Sequence, residues 1–205
     1  MQTLILLMAG SGSRAHLDIN KMMYQVNGKK LYRYVLDKFL KYDLDIILVT
    51  SKTDYSVVLN EVPSRVKVVL GGKTRNESVS NALKLVETER VLIHDAARVL
   101  VSDEIIEKCL NSSASAYYVY NNVKDTIRTL DNKTIDRASL VSVQTPQGGL
   151  TNLFRKTNSL STTDDISGLE NMNIDIEKIL GDDYNFKVTT PYDIKIVEHI
   201  LKGEF

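Results

Sequence analysis

Short apolar runs, several of them nearly uninterrupted and all separated by amphipathic stretches, set the tightest limit on how this chain can fold. Residues 3–9 (TLILLMA), 45–51 (DIILVTS), 65–70 (RVKVVL), 90–95 (RVLIHD) and 115–120 (SAYYVY) have the length and composition of strands. A run that is apolar on successive residues presents apolar side chains to both faces, so such strands need a covering layer on each side. Helical candidates at 30–42, 53–61, 75–88 and 102–111 fall between them. The alternation predicts an α/β fold: a doubly wound, mostly parallel, Rossmann-like sheet with right-handed crossovers.

Local signals mark the element ends. Thr74 followed by Glu77 reads as a capping box at the start of the third helix. Ser102, with Asp103 and Glu104 after it, supplies a cap and two acids suited to a helix N-terminus. Thr190-Pro191-Tyr192-Asp193 places a cap, a proline at the first helical position and an acid at the third, so a helix over 191–202 closes the fold. Residues 121–146 break the rhythm. Alternating β-like pieces around Asp131-Asn132-Lys133 predict a β-arm or hairpin, at about 121–143, projecting from the sheet. No linker or repeat divides the 205 residues, so a single domain over 1–205 with a sizeable core is expected.

Charge and cysteine usage narrow the partners. The 26 basic residues balance 26 acidic ones, whereas a dedicated nucleic-acid binder usually carries a basic excess. No nucleic-acid partner is expected, although a local cluster of cations suffices for a small anionic substrate. Cys109 is the single cysteine and sits in a helical pattern, SDEIIEKCL. Core packing and a reducing, cytoplasmic setting follow as expectations. No segment approaches the roughly 18 apolar residues of a membrane helix, and the opening MQTLILLMAG lacks the basic n-region of a signal peptide.

Chemistry concentrates in four places. In LLMAGSGSRAHLDINKM, Gly10 and Gly12 follow the first strand and let backbone amides approach an anion. The dinucleotide fingerprint fails, because its third glycine falls on Ala15 and the second strand ends in VTSK rather than an acid. The Walker loop fails too, since no Gly-Lys-Ser/Thr follows. What remains is a glycine loop with two cations, Arg14 and Lys21, which suit a triphosphate or are simply solvated. In GGKTRNESV, Arg75 and Ser78 near a helix N-terminus could read a base edge or a phosphate; a tight turn with a capping box accounts for Thr74 and Glu77 but leaves these two unexplained. In VLIHDAAR, His94 and Asp95 end a buried strand, where doubly wound sheets place ligands. Asp95 is a candidate ligand for Mg²⁺, and Arg98 could clamp a second anion. With three histidines and one cysteine, a protein-only zinc site is not expected; His16 reads as a surface loop residue and His199 as a helix residue. Last come the arm, with Lys124, Asp125, Thr126 and Arg137, and Lys187, read as ending a strand at YNFKV.

LLMAGSGSR…NK, GGKTRNESV, HDAAR, VKDTI, QTPQ, TDD and KVTTPYD, in this order and over nearly the whole chain, resemble the 2-C-methyl-D-erythritol 4-phosphate cytidylyltransferase family. Ribitol-5-phosphate cytidylyltransferases share most of these motifs and are the alternative. A non-catalytic nucleotide-binding descendant is a third reading, set against by the retention of Arg14, Lys21 and Asp95. The resemblance implies a homodimer, CTP and a sugar-alcohol phosphate as substrates, and Mg²⁺ as cofactor. It implies that Arg14 and Lys21 stabilise charge on the α-phosphate. Met8, Ala9, Gly10 and Gly12, with Gly72, Lys73, Ser78, Asp95 and Ala96, would bind the nucleotide, Asp95 also holding the metal. Arg98, Thr126, Arg137, Thr163 and Lys187 would surround the sugar phosphate. Arg137 and Lys187 would orient the attacking oxygen, Arg137 from the neighbouring subunit. The chain departs from the family's usual pattern in Asn20 and Met22 around Lys21 (usually proline and glutamine), Ala15, Val99 (usually proline) and Gly148-Gly149 after QTPQ.

Overall fold

The computed structural model describes residues 1–10, 20–157, 164–170 and 172–204. In chain order these form β1 (Gln2–Leu7), β2 (Gln25–Val26), β3 (Lys29–Lys30), α1 (Leu31–Phe39), β4 (Leu44–Thr50), α2 (Tyr55–Glu61), β5 (Val66–Leu70) and α3 (Arg75–Leu83). There follow β6 (Arg90–Asp95), α4 (Asp103–Asn111), β7 (Ala116–Asn122), β8 (Ile127–Arg128), β9 (Thr134–Ile135), β10 (Val141–Leu150), α5 (Thr151–Thr157), β11 (Ile176–Leu180) and α6 (Pro191–Lys202). Seven strands make the main sheet in the order β11-β7-β10-β6-β1-β4-β5. All neighbours are parallel except β10, which runs antiparallel to both β6 and β7.

The uninterrupted apolar strands are buried on both faces, as their sequence requires. Leu4, Leu6 and Met8 join one core with residues of α1, α4 and α6, whereas Ile5 and Leu7 join the other with residues of α3 and α5. In α1 the buried stripe is Leu31, Tyr32, Val35, Leu36 and Phe39, a helical spacing that fills one layer. Cys109 of α4 is fully buried among these side chains, and burial pushes its thiol pKa up.

Four features differ from the sequence reading. Residues 141–143, expected in the arm, begin β10 and pair with β7, which itself runs to Asn122; what is left of the arm carries a hairpin of β8 and β9 turning at Asn132 with φ 65°. Periodicity missed β10 because its centre, QTPQGG, is polar and glycine-rich; Gln144, Thr145 and Gln147 are buried by hydrogen bonding instead. Second, α3 stops at Leu83, before the expected 88. Arg155 of α5 donates to the carbonyls of Leu83 and Val86, supplying partners for a helix end. Third, Thr74 caps α3, but the Glu77 carboxylate accepts from Lys73 N rather than from Thr74 N, so the capping box is only half formed. Fourth, Lys187 lies on no strand; it follows a 3₁₀ turn over Asp183–Asn185, and Val188 N donates to Ala97 O. The closing helix has the expected cap at Thr190 and proline at its first position, and Asp193 completes a full capping box.

The glycines after QTPQ have a steric cause. A Cβ on Gly148 would lie 2.4 Å from both the Tyr117 hydroxyl and Val91 O, so the buried Tyr117 ring takes the room a larger residue would need. Gly149 adopts φ 144°, and its Cβ would lie 2.3 Å from Ser115 O. Val99, the other departure nearby, is 1% exposed and packs in the core.

Candidate active site

Parallel register brings Leu7 of β1 beside Val49 of β4 and Asp95 of β6, so the carboxyl ends of three strands meet at one edge. A cavity of about 460 Å³ opens there, at the place where doubly wound sheets bind ligands. The β1 exit, Met8, Ala9 and Gly10, lines it together with Gly72, Lys73 and Ser78. Lys21, Asp95 and Lys187 complete the wall with Arg75.

The glycine loop is built tightly. Gly71 N donates to Thr50 O, Gly72 N to Ser78 Oγ at 3.0 Å, and Ser78 Oγ in turn to Thr74 O at 2.9 Å. A Cβ on Gly71 would lie 2.4 Å from the Ala9 Cβ. Glycine there lets the loop close against the β1 exit, and Ser78 fixes its curvature.

Charge is arranged in a chain anchored on two buried acids. Arg75 Nη1 and Nη2 donate to the two Asp165 oxygens at 2.8 and 2.7 Å, a bidentate fork, and Arg75 Nε reaches Asp95 Oδ1 at 3.1 Å. Lys187 Nζ donates to Asp95 Oδ2 at 2.6 Å. The carboxylate side chains are 9% (Asp95) and 5% (Asp165) exposed, against 31% for Arg75 and 36% for Lys187. Burial opposes ionisation of Asp95, yet Arg75, Lys187 and Arg98 hold its carboxyl far below the usual range. Burial raises Asp165, opposed by Arg75. The fork geometry keeps that pair ionic. The acids anchor and the cations face the cavity, which therefore presents positive charge to an anion.

QTPQ holds this chain in place. Gln147 accepts from Asp165 N at 2.9 Å, and Gln144 accepts from Asn185 Nδ2 at 2.9 Å, two residues before Lys187. Thr145 Oγ1 accepts from Asp95 N at 3.1 Å and pairs with His94 Nδ1 at 3.0 Å. One motif thus fixes the segments that carry Asp95, Asp165 and Lys187.

His94 itself is fully buried, and burial pushes its pKa down to about 3. A neutral ring accepts from Thr145 at Nδ1 and donates from Nε2 toward Arg98 O at 3.4 Å. It orders the Asp95 turn and does no proton transfer. The pH dependence has a definite sign. The unfolded imidazole takes up a proton near pH 6.5 and the folded one only near 3, so acid favours unfolding between those values. Lowering pH from 7 to 5 should cost about 2 kcal/mol through this group. Urea titrations at the two pH values check it: His94→Gln should flatten that stretch of the profile, and an unchanged slope would contradict the assignment.

The cavity gathers Met8, Ala9, Gly10, Lys21, Gly72, Lys73, Ser78, Asp95 and Lys187 of the expected residues. Ala96 is 0% exposed and contributes packing; its N–H donates to Leu7 O, and Ala97 lines the cavity in its place. Arg98 lies behind Asp95, donating from Nη1 to Asn185 O at 2.7 Å. Thr126 and Arg137 stand on the arm segment and do not line this cavity; Arg137 Nη1 donates to Lys124 O at 2.8 Å. Gly12, Arg14 and Thr163 lie outside the described residues. Sequence reasoning gave Arg75 no settled role and Asp165 none; the signal available was the acidic pair in TDD, whose partner could not be read from spacing. Asn20 and Met22, both departures from the family's usual pattern, also line the cavity beside Lys21. Met22 is 2% exposed in the core, and the Asn20 side chain accepts from Met22 N at 3.1 Å.

A mostly parallel, doubly wound sheet with a glycine loop and buried-acid-anchored cations at its carboxyl edge defines an α/β nucleotidyltransferase. The sequence matches the IspD family profile, 2-C-methyl-D-erythritol 4-phosphate cytidylyltransferase, over residues 2–203. The chain belongs to that family. Proteins of that name from Clostridium perfringens and Prochlorococcus marinus are 36% and 34% identical to it, covering 97% and 95% of both chains respectively. A crystal structure of 4-diphosphocytidyl-2C-methyl-D-erythritol synthase from Anaerococcus prevotii superposes with a TM-score of 0.85 at 26% identity, over 98% of this chain and 96% of that one.

Proposed function

We propose that this chain transfers the cytidylyl group of CTP to 2-C-methyl-D-erythritol 4-phosphate, giving 4-diphosphocytidyl-2-C-methyl-D-erythritol and pyrophosphate. The observation that carries the reading is the convergence of Lys21, Arg75 and Lys187 with the Gly71-Gly72 loop around one cavity. A phosphate oxygen of the acceptor attacks the α-phosphorus, the bond to the β-phosphate oxygen breaks, and pyrophosphate leaves with the electron pair. The nucleophile is already an anion, so no side-chain base is needed; His94, neutral and enclosed, agrees with that. Catalysis is then positioning and charge stabilisation. Lys21, together with Arg14, offsets charge building at the α-phosphate. The β1 exit and the 71–78 loop receive the cytosine. Lys187 reaches the acceptor phosphate from Asp95, Arg98 supports Asp95 from behind, and Thr126, Thr163 and a neighbouring Arg137 are assigned to that subsite.

The donor set also bears on a metal. Among the described residues no three His, Cys, Asp or Glu side chains are grouped to hold one. Asp95 is the one carboxylate lining the cavity among the described residues, and Arg75 and Lys187 pair with its two oxygens; it would share in holding Mg²⁺ by exchanging one of these partners, with triphosphate oxygens as the main ligands and neutralisation of phosphate charge as the ion's contribution. A cytoplasmic setting rests on the lone buried thiol of Cys109. Among the described residues, no helix is long and apolar enough to cross a membrane.

Pyrophosphate release from CTP and Mg²⁺ with each polyol phosphate in turn tests the reaction. Turnover is expected with methylerythritol phosphate; turnover with ribitol phosphate alone would overturn the choice of acceptor. The arm is the proposed dimer contact. Leu130 at its tip is fully exposed and Val143 at its base is 39% exposed. Mixing Arg137→Ala with Lys21→Ala subunits should restore about a quarter to a half of the activity in heterodimers, each carrying one intact composite site. No recovery at all would count against an arm acting in trans.

A further inference from the structure

Asp54 sits at the N-cap of α2, yet its side chain caps nothing there. Aspartate is among the residues best suited to that position, where a capping bond contributes about 1 kcal/mol. Its Oδ2 instead accepts from Asn20 Nδ2 at 2.8 Å and from Ser51 Oγ at 2.8 Å, while Asp54 N returns a bond to Ser51 Oγ at 3.2 Å. The carboxylate is turned away from its own helix toward the Lys21 turn.

Asn20 uses three of its amide bonding sites. Nδ2 donates to Asp54 Oδ2 and, at 3.1 Å, to Met8 O; Oδ1 accepts from Met22 N. Met8 and Asn20 bracket the stretch between them, so this one side chain joins the β1 exit to the turn that bears Lys21. That turn is a single 3₁₀ unit, Lys21–Met23, closed by Met23 N to Asn20 O and Tyr24 N to Lys21 O. One turn of this kind does not hold its own orientation in water. Its direction has to come from outside, from buried Met22 on one side and Asn20 on the other.

We propose that Asn20, seated by Asp54, is a positioning residue that fixes the angle from which Lys21 enters the cavity. Asparagine supplies what the place requires: two donors toward two acceptors, and an acceptor toward a backbone N–H. Aspartate at 20 would keep the acceptor, lose both donors and face the Asp54 carboxylate. The proposal rests on the role given to Lys21 above.

Steady-state kinetics on isosteric variants provide the test. Asn20→Asp should lower kcat about ten- to hundred-fold with KM for CTP within about three-fold, because a misplaced cation loses transition-state contact first. In a Lys21→Ala background the same substitution should cost less than about two-fold, since there is no ammonium left to place. Losses that multiply across the two sites would overturn the proposal. Adding Asp54→Asn to Asn20→Asp returns a donor opposite position 20 and should recover several-fold of the rate; no recovery would remove Asp54 from the mechanism. A readout independent of the reaction is amide hydrogen exchange at Met22, a residue whose N–H Asp54 does not touch. Asp54→Leu should speed it about ten-fold, and an unchanged rate would refute the coupling. A wild-type chain that transfers nothing to methylerythritol phosphate would refute the reaction instead, with the exchange experiment still deciding the role of Asn20 and Asp54.

Discussion

Lys21→Ala is expected to lower the transfer rate at saturating CTP by about 10²- to 10³-fold while changing CTP affinity only a few-fold. The asymmetry follows from where charge appears. In the bound nucleotide the triphosphate is already matched by several partners, and a single lysine is a small part of the binding. In the transition state the α-phosphoryl oxygens gain charge, and a fixed cation at the cavity wall is worth more there than in the ground state. Lys21 has the attachment this needs, being flanked by buried Met22 and hydrogen-bonded Asn20. Rapid-quench measurement of one turnover separates chemistry from product release. If the substitution weakened CTP binding and left the saturated rate intact, Lys21 would be a binding group only.

The sequence showed this fold where burial was hydrophobic and hid it where burial was polar. β1, β4 and β6 are apolar on successive residues and were legible at once, as were the helices with clean caps at Ser102 and Thr190. β10 was not, because Gln144, Thr145 and Gln147 enter the interior by satisfying one another and their neighbours. α5 and β11 carry no distinctive period at seven and five residues. The site divides in the same way. Glycines and strand-end residues such as Gly72 and Asp95 announce themselves by position, since backbone topology sends them to the carboxyl edge. Arg75 and Asp165 do not, because their meaning lies in a contact between residues 90 apart in the chain. Asn20 is the sharpest case: the sequence shows only a departure from the family's usual proline, whereas the structure shows hydrogen bonds to Met8, Met22 and Asp54.

Arg75→Leu should be the most destabilising single change at the site, at about 3–5 kcal/mol and roughly 10 °C or more in Tm. Among the described residues the guanidinium is the only cation paired with Asp165 and one of two paired with Asp95, and both carboxylates are more than nine-tenths enclosed. Removing it strands a buried charge. The favourable energy of the ion pair itself matters less than the desolvation that would be left uncompensated. That distinction makes a second variant decisive. Asp165→Asn removes the charge and keeps the shape, so the Arg75→Leu/Asp165→Asn pair should regain about 1–3 kcal/mol over Arg75→Leu alone. Asp95 sets the pH behaviour of the same variants. Its carboxyl is held below the unfolded value, so the stability it contributes is present above about pH 4 and is lost as pH falls through the lower folded value. With Arg75 gone, Lys187 and Arg98 remain to hold Asp95 down, and the acid limb should move upward without vanishing. Urea titrations from pH 7 to 3 on the wild type and both variants measure all of this. Equal stabilities for Arg75→Leu with and without Asp165→Asn would show that Asp165 protonates or hydrates on losing its partner, and that the buried fork is not what holds this edge of the sheet closed.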